Sequence, residues 1–201
     1  MFEKLIVVIL GGLVGFLLTI LKESVAAKKS KAAETYYLAI IVTSSIEQFI
    51  VGCREVVTDN GTEDQNGYTY YHSQTPSFTP LELEVDWKIL PQDLLYDLLN
   101  LPQMVHEANS YVSAVSDYTA TPPDFAEFYE ARAMKYAALG LLAIQMSEKL
   151  RDLGGLPKRK VEEWGDRQTF LLTLHESEER EIMRKEFQQR MLDSLKPQAH
   201  A

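Results

Sequence analysis

A mainly α fold is predicted: one N-terminal transmembrane helix, a small antiparallel helical bundle with an extended strap, and a charged C-terminal helix. Three observations point there. An uncharged run of seventeen residues spans Leu5 to Leu21. Beyond it, apolar residues recur at spacings of three and four, the period of a helix buried on one face. One stretch, Leu81 to Ile89, instead alternates strictly between apolar and charged or polar residues. The domains read as 1–24 (anchor), 25–157 (bundle) and 158–201 (charged helix and tail). Of the 201 residues, 46% are hydrophobic and 24% charged, the composition of a folded chain rather than a disordered one.

The anchor comes first. Crossing about 30 Å of hydrocarbon takes ~20 residues, with ~17 near the lower limit. A helix apolar on every face suits lipid better than the surface of a soluble domain. A cleaved signal peptide is the rival, since Val25-Ala26-Ala27 resembles a cleavage site. The segment before the run is only Met-Phe-Glu-Lys, and the run exceeds the usual signal core of about 7–15 residues. An uncleaved anchor held in the bilayer by residues 5–21 is therefore expected. Cysteine is absent near residue 20, which excludes a lipoprotein. Lys22, Lys28, Lys29 and Lys31 follow the run, against Lys4 before it, so the positive-inside rule puts the C-terminal domain in the cytoplasm. Gly11 and Gly15 form a G-x-x-x-G pair, a candidate helix-dimer face that would make the chain a homo-oligomer.

Behind the anchor, Ala32 to about Val57 reads as a helix with Leu38, Ile41, Val42, Ser45, Phe49, Cys53 and Val56 on one face. It is expected nearly to continue the membrane span. Thr58 to Pro80 is polar and carries two turn signals, Asn60-Gly61 and Asn66-Gly67. A mobile insertion is expected there, with a two-strand hairpin as the alternative. Leu81 to Ile89 predicts an extended strap packing its apolar edge on helices. Pro91 opens a short helix, Pro102 interrupts it, and Gln103 to Ser116 resumes. Thr121 caps the next helix, whose apolar residues run from Phe125 to Leu153. Gly154-Gly155 ends it with a left-handed cap. A charged helix, about Val161 to Leu195, has only a sparse apolar stripe of Phe170, Leu174, Phe187 and Met191.

Charge narrows the function. Residues 1–31 carry +3, Glu55 to Glu130 carries −13, and Ala131 onward carries +2. An acidic middle of that size argues against nucleic acid as a partner. One cysteine, Cys53, forbids an internal disulfide and reads as a small buried side chain. Phosphate-binding glycine loops, H-E-x-x-H and G-x-S-x-G are all missing. His106-Glu107 lacks a second histidine one turn away, and His72, His106, His175 and His200 are widely spaced. Thr62 to Ser73 fails as a calcium loop because both end positions lack a carboxylate. Asn60-Gly61-Thr62 matches a glycosylation acceptor, which is irrelevant in a cytoplasmic domain. No catalytic, cofactor or metal residue is predicted, and no cofactor. The candidate ligand or partner residues are Tyr68, Tyr70, Tyr71, His72 and Trp87.

Val85-Asp86-Trp87-Lys88, Leu99-Asn100-Leu101-Pro102 and Leu153-Gly154-Gly155-Leu156-Pro157 resemble bacterial proteins of unknown function that also have an apolar N-terminus. The likeness covers roughly residues 37–157. It implies this architecture and a bacterial setting, and no activity. The expected function is a membrane-anchored, non-catalytic protein-interaction or scaffolding module. The alternatives are a ligand-binding helical sensor and an enzyme whose site is assembled from distant residues.

Overall fold

A computed structural model describes residues 2–65, 67–122, 125–159 and 165–194, with side chains from Lys22 onward. Helix α1 runs unbroken from Phe2 to Thr58. The predicted span 5–21 lies within its backbone. The side chains of that span, and the Gly11/Gly15 face, lie outside the described residues. From Lys22 to Glu34 every side chain is exposed, and Leu38 is the first to be buried. This bare stretch is a single-helix stalk about 20 Å long at 1.5 Å per residue. Ala26, Ala27, Ala32 and Ala33 favour helix without needing packing. Ser30 adds a hydrogen bond to Glu34 one turn on.

By composition, Lys22–Thr58 also contains an 18-residue window apolar enough to cross a membrane, with mean hydropathy 1.4. Burial explains that apolarity otherwise. Leu38, Val42, Ile46, Phe49, Ile50 and Cys53 are at most 1% exposed inside the bundle. Burial also pushes the Cys53 thiol well above its usual range, so Cys53 is a core side chain and not a nucleophile.

Helices α2 (Gln92–Tyr118), α3 (Ala126–Gly154) and α4 (Asp166–Ser194) complete the bundle. Helix α3 is central and packs on each of the others. Its polar contacts fix the directions. Arg151 and Ser147 meet Glu47 of α1, at 2.6 Å and 3.2 Å. Tyr136 and Lys149 meet Asn109 and Asp97 of α2. Arg167 and Arg184 of α4 meet Glu148 and Glu130. Helices α1, α2 and α4 therefore all run antiparallel to α3 and parallel to one another. Parallel neighbours cannot be joined by a tight turn, so the chain between α1 and α2 must return along the bundle.

That return is the predicted strap. Its alternation survives in burial: Leu83, Val85, Trp87 and Ile89 pack on the core while Glu84, Asp86 and Lys88 are exposed. Its backbone is not one extended strand. Two 3₁₀ turns, Pro80–Glu82 and Trp87–Ile89, break it. The Asp86 side chain caps the second by accepting from the Lys88 N–H. With no strand beside it among the described residues, an extended backbone would leave its amides unpaired, and turns satisfy them locally. Leu81, 84% exposed, leaves the pattern.

Pro102 does not break α2. A mid-helix proline costs about 3 kcal/mol. Burying Leu98, Leu101 and Val105 around it returns about 1.5–3 kcal/mol each, so packing wins. Thr121 is not the cap of α3. Phe125 takes that position in a left-handed conformation, φ 50°. The C-terminal end behaves as expected, with Gly155 at φ 64° and the Leu156 N–H donating to the Arg151 carbonyl at 2.8 Å.

Helix α4 joins the bundle through its first half. Phe170 is fully buried, and Asp166 pairs with Arg54 at 3.2 Å and with Arg159. A β-carbon on Gly140 would overlap the Phe170 ring, so the absence of a side chain there sets the α3–α4 approach. From Glu178 to Ser194 every α4 residue is exposed, and Phe187 and Met191 find no core to enter.

Gly140→Val should cost about 2–3 kcal/mol by overpacking, and Phe170→Ala about 3–5 kcal/mol. Their combined cost in denaturant unfolding of the full chain should fall short of the sum, because both act on one contact. A neutral Gly140→Val would show that this contact does not hold α4.

Candidate functional site

The stretch predicted as a mobile insertion is pinned at the far end of the bundle from the stalk. Asp59 follows directly on α1 and organises it. One carboxylate oxygen accepts from the Gly61 N–H at 3.0 Å. The other accepts from the His72 N–H at 2.8 Å, the Ser73 N–H at 2.6 Å and the Ser73 hydroxyl at 2.7 Å. Arg132 of α3 completes the hub, 3.5 Å from the same oxygen. Its Nη2 donates to the Ser73 carbonyl at 2.7 Å and hydroxyl at 2.9 Å. The two side chains are only 5% and 9% exposed. Partial burial raises the Asp59 pKa, but the hydrogen bonds from Ser73, Gly61 and His72 outweigh it and hold the carboxyl well below the usual range.

The hub positions a short hairpin. Strands β1 (Thr62–Glu63) and β2 (Thr69–Tyr70) pair antiparallel, Thr62 opposite Tyr70. Gly61 and Gly67 supply the positive φ, 72° and 83°, that the bends require. The His72 ring lies 2.8 Å from the Thr62 hydroxyl and staples the hairpin to the chain that follows.

Between this hairpin, the second half of α2 and the first half of α3 opens a cleft of about 420 Å³. Aromatic rings wall it. The Arg132 guanidinium lies over the Tyr71 ring, 4.6 Å from its centroid, a cation–π contact that fixes the ring. Tyr71 packs on Phe128 at 5.6 Å, and Phe128 meets Tyr129 edge-on at 5.2 Å. Phe125 borders the cleft and contacts Tyr68 at 6.4 Å. Its left-handed backbone, φ 50°, costs about 1–2 kcal/mol. Asn109, Ser113, Ser116 and Thr75 supply the polar lining. The Tyr136 hydroxyl donates to the Asn109 side-chain oxygen at 2.7 Å. Burial raises the pKa of Tyr136, and of Tyr129 together with the charge of Asp59, so both phenols keep their protons at neutral pH. A second hollow of about 370 Å³ lies between α3 and α4, with Tyr129 and Thr69 shared between the two.

The predicted residues divide. Tyr70 and Tyr71 line the cleft, Tyr68 touches its border, and His72 serves the hairpin. Trp87 packs half-buried against the core in the returning segment and does not join them. Asp59, Asn109, Phe128, Tyr129, Arg132 and Tyr136 were not singled out from sequence. Arg132 did carry a signal: it interrupts the apolar register of α3 four residues from both Phe128 and Tyr136. Among the described residues no cluster of three or more His, Cys, Asp or Glu side chains could hold a metal ion. Comparison with family models, curated proteins and solved structures finds no match.

Asp59→Ala should cost about 2–4 kcal/mol by leaving Arg132 buried without its partner. The native carboxyl titrates below its unfolded value of 3.8, so the folded state binds fewer protons. The stability this adds is complete above that value and is lost as pH falls through it toward the lower folded pKa. Acid unfolding should therefore be shallower in Asp59→Asn than in the native chain below about pH 4. Parallel acid titrations would refute a role for the hub.

Proposed function

We propose that the chain is a membrane-tethered, non-catalytic recognition domain that takes its ligand in the cleft at the end of the bundle far from the stalk. The observation that carries this reading is the cleft itself. Its rings are fixed before any ligand arrives, because Asp59, Arg132 and Ser73 lock the hairpin to α3. A site held in place this way does not have to order itself on binding. Its volume lies in the range of small-molecule sites. Among the described residues, the ionisable side chains of its lining are Arg132 and four tyrosines. A lining without histidine or carboxylate among the described residues favours recognition over acid–base chemistry.

The tether is the uncharged segment 5–21, uncleaved, with the stalk standing the bundle off the bilayer. The lysines at 22, 28, 29 and 31 favour a cytoplasmic domain. A reporter active only in the cytoplasm, fused after Ala201, should give signal. A reporter active only on the opposite side giving signal instead would reverse the orientation.

Protein scaffolding is the second reading. Ile182, Met183, Phe187, Met191 and Leu192 of α4 are each at least 50% exposed, and exposed apolar groups favour a protein partner. One experiment separates the two. The full chain in lipid nanodiscs is screened by thermal unfolding against neutral, anionic and cationic small molecules, beside Ser113→Trp. Ser113 is exposed on α2, so its replacement fills the cleft without touching the core. Cleft recognition predicts a ligand that raises the midpoint of the native chain and not of Ser113→Trp. If every compound leaves both unchanged, the exposed end of α4 becomes the functional surface.

A further inference from the structure

We infer that the cleft is built for a neutral, polyhydroxylated ring, a sugar-like ligand. The inference rests on the recognition reading above and adds the ligand's chemistry. Charge is the first argument. Among the described residues, Arg132 is the one formally charged side chain lining the cleft. Its guanidinium is already committed to Asp59, to the Ser73 carbonyl and hydroxyl, and to the Tyr71 ring. With the pair neutral as a unit, an ionic ligand would lose its hydration and find no opposite charge in return.

The walls are the second argument. Tyr71 and Phe128 stand as a tilted pair, 34° between planes. A sugar ring presents an apolar C–H surface to such rings and keeps its hydroxyls at the edge. The rim is the third. Ser113 and Ser116 offer hydroxyls from α2, and Asn109 an amide. A hydroxyl both donates and accepts, and an amide does one with each end. That mixture matches a ligand whose own groups do both. A proline-rich segment offers only acceptors to such a rim. A bare aromatic ligand would cover the rim and leave its polar groups unpaired.

The test uses the full chain in lipid nanodiscs, free of glycoside detergent. The probes are maltose and methyl glucoside (neutral), glucuronate (anionic), glucosamine (cationic), a proline decapeptide and indole. A neutral sugar at about ten times its Kd should raise the unfolding midpoint by about 3–6 °C. The rise should saturate and vanish in both Tyr71→Ala and Ser113→Trp. It should persist in Tyr96→Ala, an exposed aromatic at the other end of α2. Stabilisation by solute exclusion does not saturate and would be equal in all variants. Glucuronate, glucosamine, the peptide and indole should each bind at least about tenfold more weakly, a difference of 1.4 kcal/mol. If one of these binds best and Ser113→Trp abolishes it, the cleft is a recognition site and the sugar assignment is wrong. If neutral sugar still binds Ser113→Trp, its site lies elsewhere and the inference fails. If no probe binds, the inference fails, and the broader screen decides whether the recognition reading fails with it.

Discussion

Close approach to helix α3 is the constraint on which the other elements depend. Three helices pack around it, and at two contacts a side chain would stand in the way. Gly140 lies under the Phe170 ring, and Gly154 faces Ala39 of α1 so closely that a β-carbon would overlap it. Ala137 and Ala143 are fully buried on the same helix. Small residues bring α1 and α4 near enough for their larger side chains to fill the space between axes. Because α1 and α2 run in the same direction, the chain must also travel back between them. The length of the 59–91 connection follows from that topology.

The hub at Asp59 and Arg132 uses the start of that connection. A buried ion pair contributes little net stability, because desolvation offsets most of the attraction. What it contributes here is position. Five donors converge on the Asp59 carboxylate from four residues, and they come from the hairpin, the chain after it and α3. Removing Asp59 or Arg132 would leave the other's charge buried without its partner. The aromatic wall inherits this rigidity through the Arg132–Tyr71 contact. Among the described residues the same pairing leaves the cleft lining without a free charge, so positioning and electrostatic neutrality share one cause.

Outside the hub, the charged surface does little of the structural work. Pairs such as Arg190–Glu186 and Lys185–Glu181 lie on the exposed half of α4, where water screens them and they add little to stability. They keep a lone helix soluble and helical. The stalk between Lys22 and Glu34 solves the same problem with alanines.

Much of the helical framework was legible in the sequence. Apolar spacing marked the buried face of α1, Gly154-Gly155 marked the end of α3, and alternation marked which residues of 83–89 face the core, though not Leu81. These are local signals, set by helix and strand periods that any neighbour would respect. The sequence by itself also determined that residues 5–21 are uncharged on every face and that the middle of the chain is strongly acidic. Tertiary structure alone decided the rest. Pro102 sits inside a helix because three buried neighbours outweigh its cost. The returning segment forms turns because no strand lies alongside it among the described residues. Arg132 meets Asp59 across 73 positions, and the cleft is drawn from three separate segments. A pattern read along the chain cannot hold such contacts, because their energies arise only once the helices have packed.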